Sequence, residues 1–102
     1  MGIVDRMARL DESAARSLLA AIPGWELDGD LIRRTFAFPD FVRAMRFVDA
    51  VAAEAERVQH HPDILVRYSK VTLMLSTHDV GGLSQKDFDF AAAADRLSSA
   101  AR

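Results

Sequence analysis

Between residues 41 and 59 the apolar positions Phe41, Ala44, Val48, Val51, Ala55 and Val58 recur at steps of three and four. That spacing draws one stripe along a helix, which Met45 and Ala52 widen. Arg43, Arg46, Asp49, Glu54 and Arg57 fall mostly outside it, and Pro39-Asp40 ends the preceding strand and caps this helix. On both sides of this helix the period changes to two. Over 31–38, Ile32, Arg34, Phe36 and Phe38 share one face of a strand, and Leu31, Arg33, Thr35 and Ala37 share the other. Over 63–68, Ile64, Val66 and Tyr68 alternate with Leu65 and Arg67. Over 71–77, Val71, Leu73 and Leu75 alternate with Thr72, Met74 and Ser76.

The shorter signals complete the order. Asp11 caps a first helix whose apolar side is Ala14, Ala15, Leu18, Leu19 and Ile22, and Pro23-Gly24 ends it. Trp25-Glu26-Leu27 reads as a short strand that returns through an Asp28-Gly29 turn. Ser69-Lys70 is the expected turn of the second hairpin. Gly81-Gly82 breaks the chain before a last helix, opened by a Ser84/Asp87 capping box and a Leu83/Phe88 hydrophobic staple. The expected fold is α+β: a four-stranded antiparallel sheet with three helices on one face, in the order α-β-β-α-β-β-α. Residues 1–102 are expected to form a single domain, with 1–9 as a loose tail.

Composition narrows the function classes. The net charge is −2, with no basic stripe, which argues against nucleic acid as a partner. There is no cysteine, so disulfides and thiolate metal sites are excluded. No apolar run approaches the ~20 residues of a membrane span. Asp5, Arg6 and Arg9 interrupt any signal-peptide pattern, so a cytoplasmic protein is expected.

The candidate chemistry lies in the histidines. His60-His61-Pro62 comes after the end of the long helix, and His78 after the last strand. With Ser69-Lys70 as the turn, Tyr68 opposes Val71, and His61 then falls opposite His78. Opposed residues on antiparallel strands have Cβ atoms about 4.5–5.5 Å apart. Glu56 stands one helical turn before His60, and Pro62 holds His61 extended. All three histidines of the chain thus converge. Imidazole titrates near pH 6.5, so one ring can give a proton while another takes one. Other readings of the same residues stay open. The His-His pair can cap helix carbonyls, and three histidines with a carboxylate can hold zinc, although adjacent side chains on an extended segment point apart. Asp79 is also a turn residue, Asp87 a cap, and Trp25 a core or edge aromatic.

Taken with their gaps, Glu56, His60-His61-Pro62, Tyr68, His78 and Asp87 resemble the signature of the pterin-4a-carbinolamine dehydratase family. The resemblance extends to Gly24-Trp25, to Phe36, Phe38, Asp40 and Phe41, and to Ser76-Thr77-His78-Asp79 with Gly81-Gly82-Leu83. It implies a hydro-lyase that dehydrates 4a-hydroxytetrahydropterin to quinonoid dihydropterin, recycling the cofactor of aromatic amino-acid hydroxylases. No cofactor and no metal are implied. His61 and His78 would be the acid–base pair, His60 would bind or orient the pterin, and Glu56 would tune a histidine. Trp25, Pro62, Ser76, Thr77, Asp79 and Asp87 would contact substrate. The resemblance also implies homodimers formed by joining sheets, or homotetramers. One departure is Ile64, where many relatives carry an aromatic residue. The same resemblance leaves two alternatives: a non-enzymatic dimerisation or assembly cofactor, and a module binding another pterin.

Overall fold

The computed structural model describes residues 8–102, so the first seven residues of the expected tail lie outside the described part. Helix α1 spans Glu12–Leu19, strand β1 Glu26–Asp28, β2 Leu31–Ala37, helix α2 Phe41–Val58, β3 Asp63–Arg67, β4 Lys70–Leu75 and helix α3 Gln85–Ala101. A single 3-10 turn, His78–Val80, separates β4 from α3. The sheet is antiparallel with strand order β1-β2-β4-β3. The fold is the α+β arrangement expected from the pattern.

The helix starts form for local reasons. Each has an acceptor side chain in front of it: Asp11 takes the Ala14 N–H, Asp40 the Arg43 N–H, and Ser84 with Asp87 forms the reciprocal box. One sheet face is packed and the other is open. Ile32, Phe36, Val71, Leu73 and Leu75 are fully buried, while Arg33, Thr35 and Ala37 are exposed. Phe47 is the centre of the core, with ring centroids 4.7 Å from Phe36 and 5.1 Å from Phe38. It lies on α2 outside the stripe drawn from the sequence. Phe41, drawn inside that stripe, is half exposed and stacks on Tyr68. Arg34 faces the helices because Asp95 of α3 accepts from it at 2.8 Å and from the Trp25 indole N–H at 2.9 Å.

Both hairpins correct the expected registers. In the first, Asp28 pairs with Leu31, so the turn is Gly29-Asp30 rather than Asp28-Gly29. Gly29 takes φ 58° at the first turn position, where glycine adopts a left-handed backbone at no steric cost. In the second, Arg67 pairs with Lys70, so the turn is Tyr68-Ser69 rather than Ser69-Lys70, with Tyr68 at φ 52°. Each pairing moves by two residues, which preserves the faces but changes the partners. Regular pairing ends at Asp63 and Met74, so His61 and His78 are not opposed strand residues. Among the described residues no helix is long and apolar enough to cross a membrane.

Candidate active site

Helix α2 ends in a left-handed residue, Gln59 (φ 53°, ψ 46°), whose backbone N–H returns to Ala55 O. The turn separates the two histidines beyond it. His60 goes inward and is 9% exposed; the His61 side chain goes outward and is 57% exposed. At the far end of β4, Thr77 bridges to Gly82 (Thr77 N–H to Gly82 O, 2.8 Å) and closes the small loop carrying His78 and Asp79. Gly81 turns that loop with φ 66°.

These two chain ends face each other. A cleft of about 270 Å³ is lined by all three histidines together with Ser76, Thr77 and Asp79. A second hollow of about 260 Å³ shares His61, Ser76 and His78 and continues towards Leu31, Asp63 and Met74. His61 and His78 therefore border both spaces without being paired across the hairpin. A larger hollow, about 490 Å³, lies between α1 and the β1–β2 turn and contains no histidine. Acid–base chemistry favours the smaller cleft.

Two imidazoles have a carboxylate partner. His61 Nε2 lies 2.6 Å from Glu56 Oε2, with both side chains more than half exposed. Glu56 thus serves His61, not the His60 that helical spacing suggested, because the Gln59 turn swings His60 away. His60 Nε2 lies 2.7 Å from Asp87 Oδ1. Asp87 is fully buried; its other oxygen accepts from the Thr77 hydroxyl at 2.8 Å and from the Ser84 N–H at 2.9 Å. Among the described residues no three His, Cys, Asp or Glu side chains are disposed to hold a metal ion.

Three expected contact residues sit elsewhere. Trp25 is buried in the core beside Phe36, on the far side of β2 from β4, where its indole N–H is taken by Asp95. Asp87 lies behind His60, enclosed by protein, and meets the cleft through that ring and through Thr77. Pro62 is half-buried and lines neither hollow. Two residues absent from the candidates drawn from sequence, Gln59 and Lys86, do line the cleft. Gln59 could have been suspected as the residue ending α2; nothing in the pattern marked Lys86.

Residues 8–97 match the family model described as pterin 4 alpha carbinolamine dehydratase. The chain belongs to that family. Among the dehydratase relatives, a Thermomicrobium roseum protein provisionally named pterin-4-alpha-carbinolamine dehydratase is 48% identical over 91% of this chain and all of its own. A provisionally so-named Acidobacterium capsulatum protein is also 48% identical, over 89% of this chain and 99% of its own. Among solved structures, a transcriptional coactivator/pterin dehydratase from Brucella melitensis superposes with a TM-score of 0.84 at 35% identity, covering 88% of this chain and 98% of that one. A pterin dehydratase-like protein identified as a RuBisCO assembly factor in the alpha-carboxysome superposes with a TM-score of 0.61 at 27% identity, covering 72% and 86%.

Proposed function

We propose that the histidine cleft dehydrates 4a-hydroxytetrahydropterin to quinonoid dihydropterin and water. The reaction removes the hydroxyl from C4a and the proton from N5, leaving a C4a=N5 double bond. Protonating the hydroxyl lets it leave as water rather than hydroxide. Each positioned proton transfer is typically worth about 10²–10⁴ in rate. His61 and His78, which border both hollows, are the acid–base pair. Glu56 orients the His61 ring through the 2.6 Å contact at its Nε2. His60, Ser76, Thr77 and Asp79 line the space left for the flat pterin. Family membership supports the reaction class. The observation that carries the reading is the meeting of all three imidazoles in one cleft.

Freshly generated 4a-hydroxytetrahydropterin decays spontaneously, and the decay can be followed by ultraviolet absorbance. Catalytic amounts of the protein are expected to accelerate it. A rate equal to the protein-free control would remove the dehydratase reading.

A second reading is favoured by a different observation. Leu65 is exposed on the open edge strand β3, and at its end Tyr68 is exposed and stacked on the half-exposed Phe41. Such an edge suits joining the sheet of a second copy or serving as an assembly surface. An assembly role of this kind would leave carbinolamine decay unaffected by the protein, and would be lost in a Leu65→Lys variant that retains its fold.

A further inference from the structure

The polar cluster behind His60 has one consistent arrangement of hydrogens. An ionised carboxylate is acceptor-only, a backbone N–H is donor-only, and a hydroxyl has a single proton to give. Asp87 Oδ2 takes the Ser84 N–H and the Thr77 Oγ–H. The Thr77 proton is thereby used, so the 2.6 Å contact between Thr77 Oγ1 and Ser84 Oγ places Ser84 as the donor. Ser84 Oγ in turn accepts from the Lys86 N–H at 3.3 Å. Among the described residues Asp87 Oδ1 has only His60 Nε2 for a partner, at 2.7 Å, and as a carboxylate oxygen it accepts from it. Asp87, Ser84 and Thr77 are buried to within 3%, so water does not offer an alternative set of partners.

We infer that Thr77 and Ser84 are positioning residues that act through Asp87 to hold His60 as the Nε2–H tautomer, leaving Nδ1 as a lone-pair acceptor for an N–H of the bound pterin. The other ring nitrogen, Nδ1, has no hydrogen-bond partner among the described residues. No buried side-chain nitrogen or oxygen among them lacks a partner either, so Nδ1 reaches accessible space. His60 borders the histidine cleft and a hollow of about 350 Å³ between α2 and α3, and Lys86 borders both as well. The ring is thus pinned at one nitrogen and open at the other. His61, by contrast, pairs with an exposed carboxylate that solvent can replace. The fixed ring suits orientation of substrate; the freer ring suits proton exchange. The pterin part of this inference rests on the dehydratase reading, whereas the tautomer lock does not.

The test is two-bond ¹H–¹⁵N correlation spectroscopy of the histidine rings, run on the full chain above the pH at which the imidazoles lose their charge. Wild-type His60 is expected to show a protonated Nε2 and a bare Nδ1. Asp87→Asn should reverse this: its amide oxygen must still serve Ser84 N–H and Thr77 Oγ–H, so its NH₂ faces His60 Nε2 and forces the proton to Nδ1. Thr77→Val leaves Asp87 an acceptor but loosens the carboxylate, so the Nε2–H tautomer should persist while its ring proton exchanges faster with water, and Thr77→Ser should restore the wild-type exchange rate. Adding a stable dihydropterin should move the His60 Nδ1 resonance. A bare Nε2 in the wild type, a ring doubly protonated at every pH, or an unchanged tautomer in Asp87→Asn would overturn the lock. A locked tautomer whose Nδ1 ignores the pterin would overturn the substrate contact alone. In the carbinolamine assay, Asp87→Asn should lower turnover by about 10²-fold or more, the worth of one positioned proton or hydrogen bond at the reacting centre. An inactive wild type with the expected tautomer would remove the dehydratase reading and leave the lock intact.

Discussion

Replacing Asp87 by alanine withdraws one acceptor from three donors at 2.7, 2.8 and 2.9 Å. Their losses are unequal. The Thr77 hydroxyl can turn towards Ser84 Oγ, 2.6 Å away, only by displacing the Ser84 proton already shared there, so one of the two hydroxyl protons loses its acceptor. His60 is at the cleft wall and can find water. The Ser84 N–H is fully enclosed and has no substitute. Stranding this buried donor, which is also the half of the capping box that Asp87 supplies, costs about 1–3 kcal/mol. The expected destabilisation is therefore about 1–3 kcal/mol, a sizeable fraction of the ~5–15 kcal/mol that holds a typical domain together. In urea, where small proteins unfold with slopes of about 1–3 kcal/mol per molar, the midpoint should fall by roughly 1 M. Equilibrium unfolding followed by Trp25 fluorescence measures it. A loss under about 0.5 kcal/mol would refute the reasoning, since it would mean that the carboxylate is not the acceptor on which Ser84 depends.

Other perturbations test separate parts of the fold. Phe47→Ala empties the centre of the core, where the ring is wholly buried against Phe36 and Phe38, and should cost about 3–5 kcal/mol in the same unfolding experiment. Gly81→Ala meets no neighbouring atom but forces a Cβ onto φ 66°, so thermal unfolding should show a loss of about 1 kcal/mol from backbone strain alone. Glu54 lies below the usual carboxylate range, chiefly because Arg57 donates to it at 3.0 and 2.6 Å, with burial opposing and the charges of Arg57 and Arg96 assisting. A lowered folded-state pKa contributes stability above the unfolded value of about 4.3 and loses it as pH falls through the folded value. Glu54→Gln should then be slightly less stable than wild type at pH 7, by under about 1 kcal/mol because Arg57 is mostly exposed, with the difference vanishing in acid.

The parts of the fold legible in the sequence are those set by local rules. The alternation of Val71, Leu73 and Leu75, the Asp40 cap and the Ser84/Asp87 box each depend on neighbours within a few residues, and each appears where expected. Register was not legible. An Asp-Gly pair favours a turn, but the single left-handed position belongs to Gly29 as the first turn residue, which moves the turn one place onward. In the second hairpin the left-handed residue is Tyr68, an aromatic that propensity alone would not choose. Its ring lies over Phe41, a tertiary contact that helps offset the local strain. At the site, spacing placed His61 opposite His78 through a register the hairpin does not have; the three histidines meet instead where the end of α2 faces the loop after β4, and their partners were not legible. Asp87 reads as a cap in sequence and is one; that it also meets His60, 27 residues away, depends on how α3 packs beside the end of α2. Trp25 likewise stands beside a family motif, yet Asp95 draws its indole into the core, away from the cleft.

The most direct test of the acid–base cleft compares the decay of 4a-hydroxytetrahydropterin in the presence of wild type, His61→Ala and His78→Ala, each first shown to unfold at the wild-type temperature. The wild type is predicted to accelerate the decay, and each variant to lose about 10²-fold or more of that acceleration. Full activity in either folded variant would contradict the assignment of that histidine.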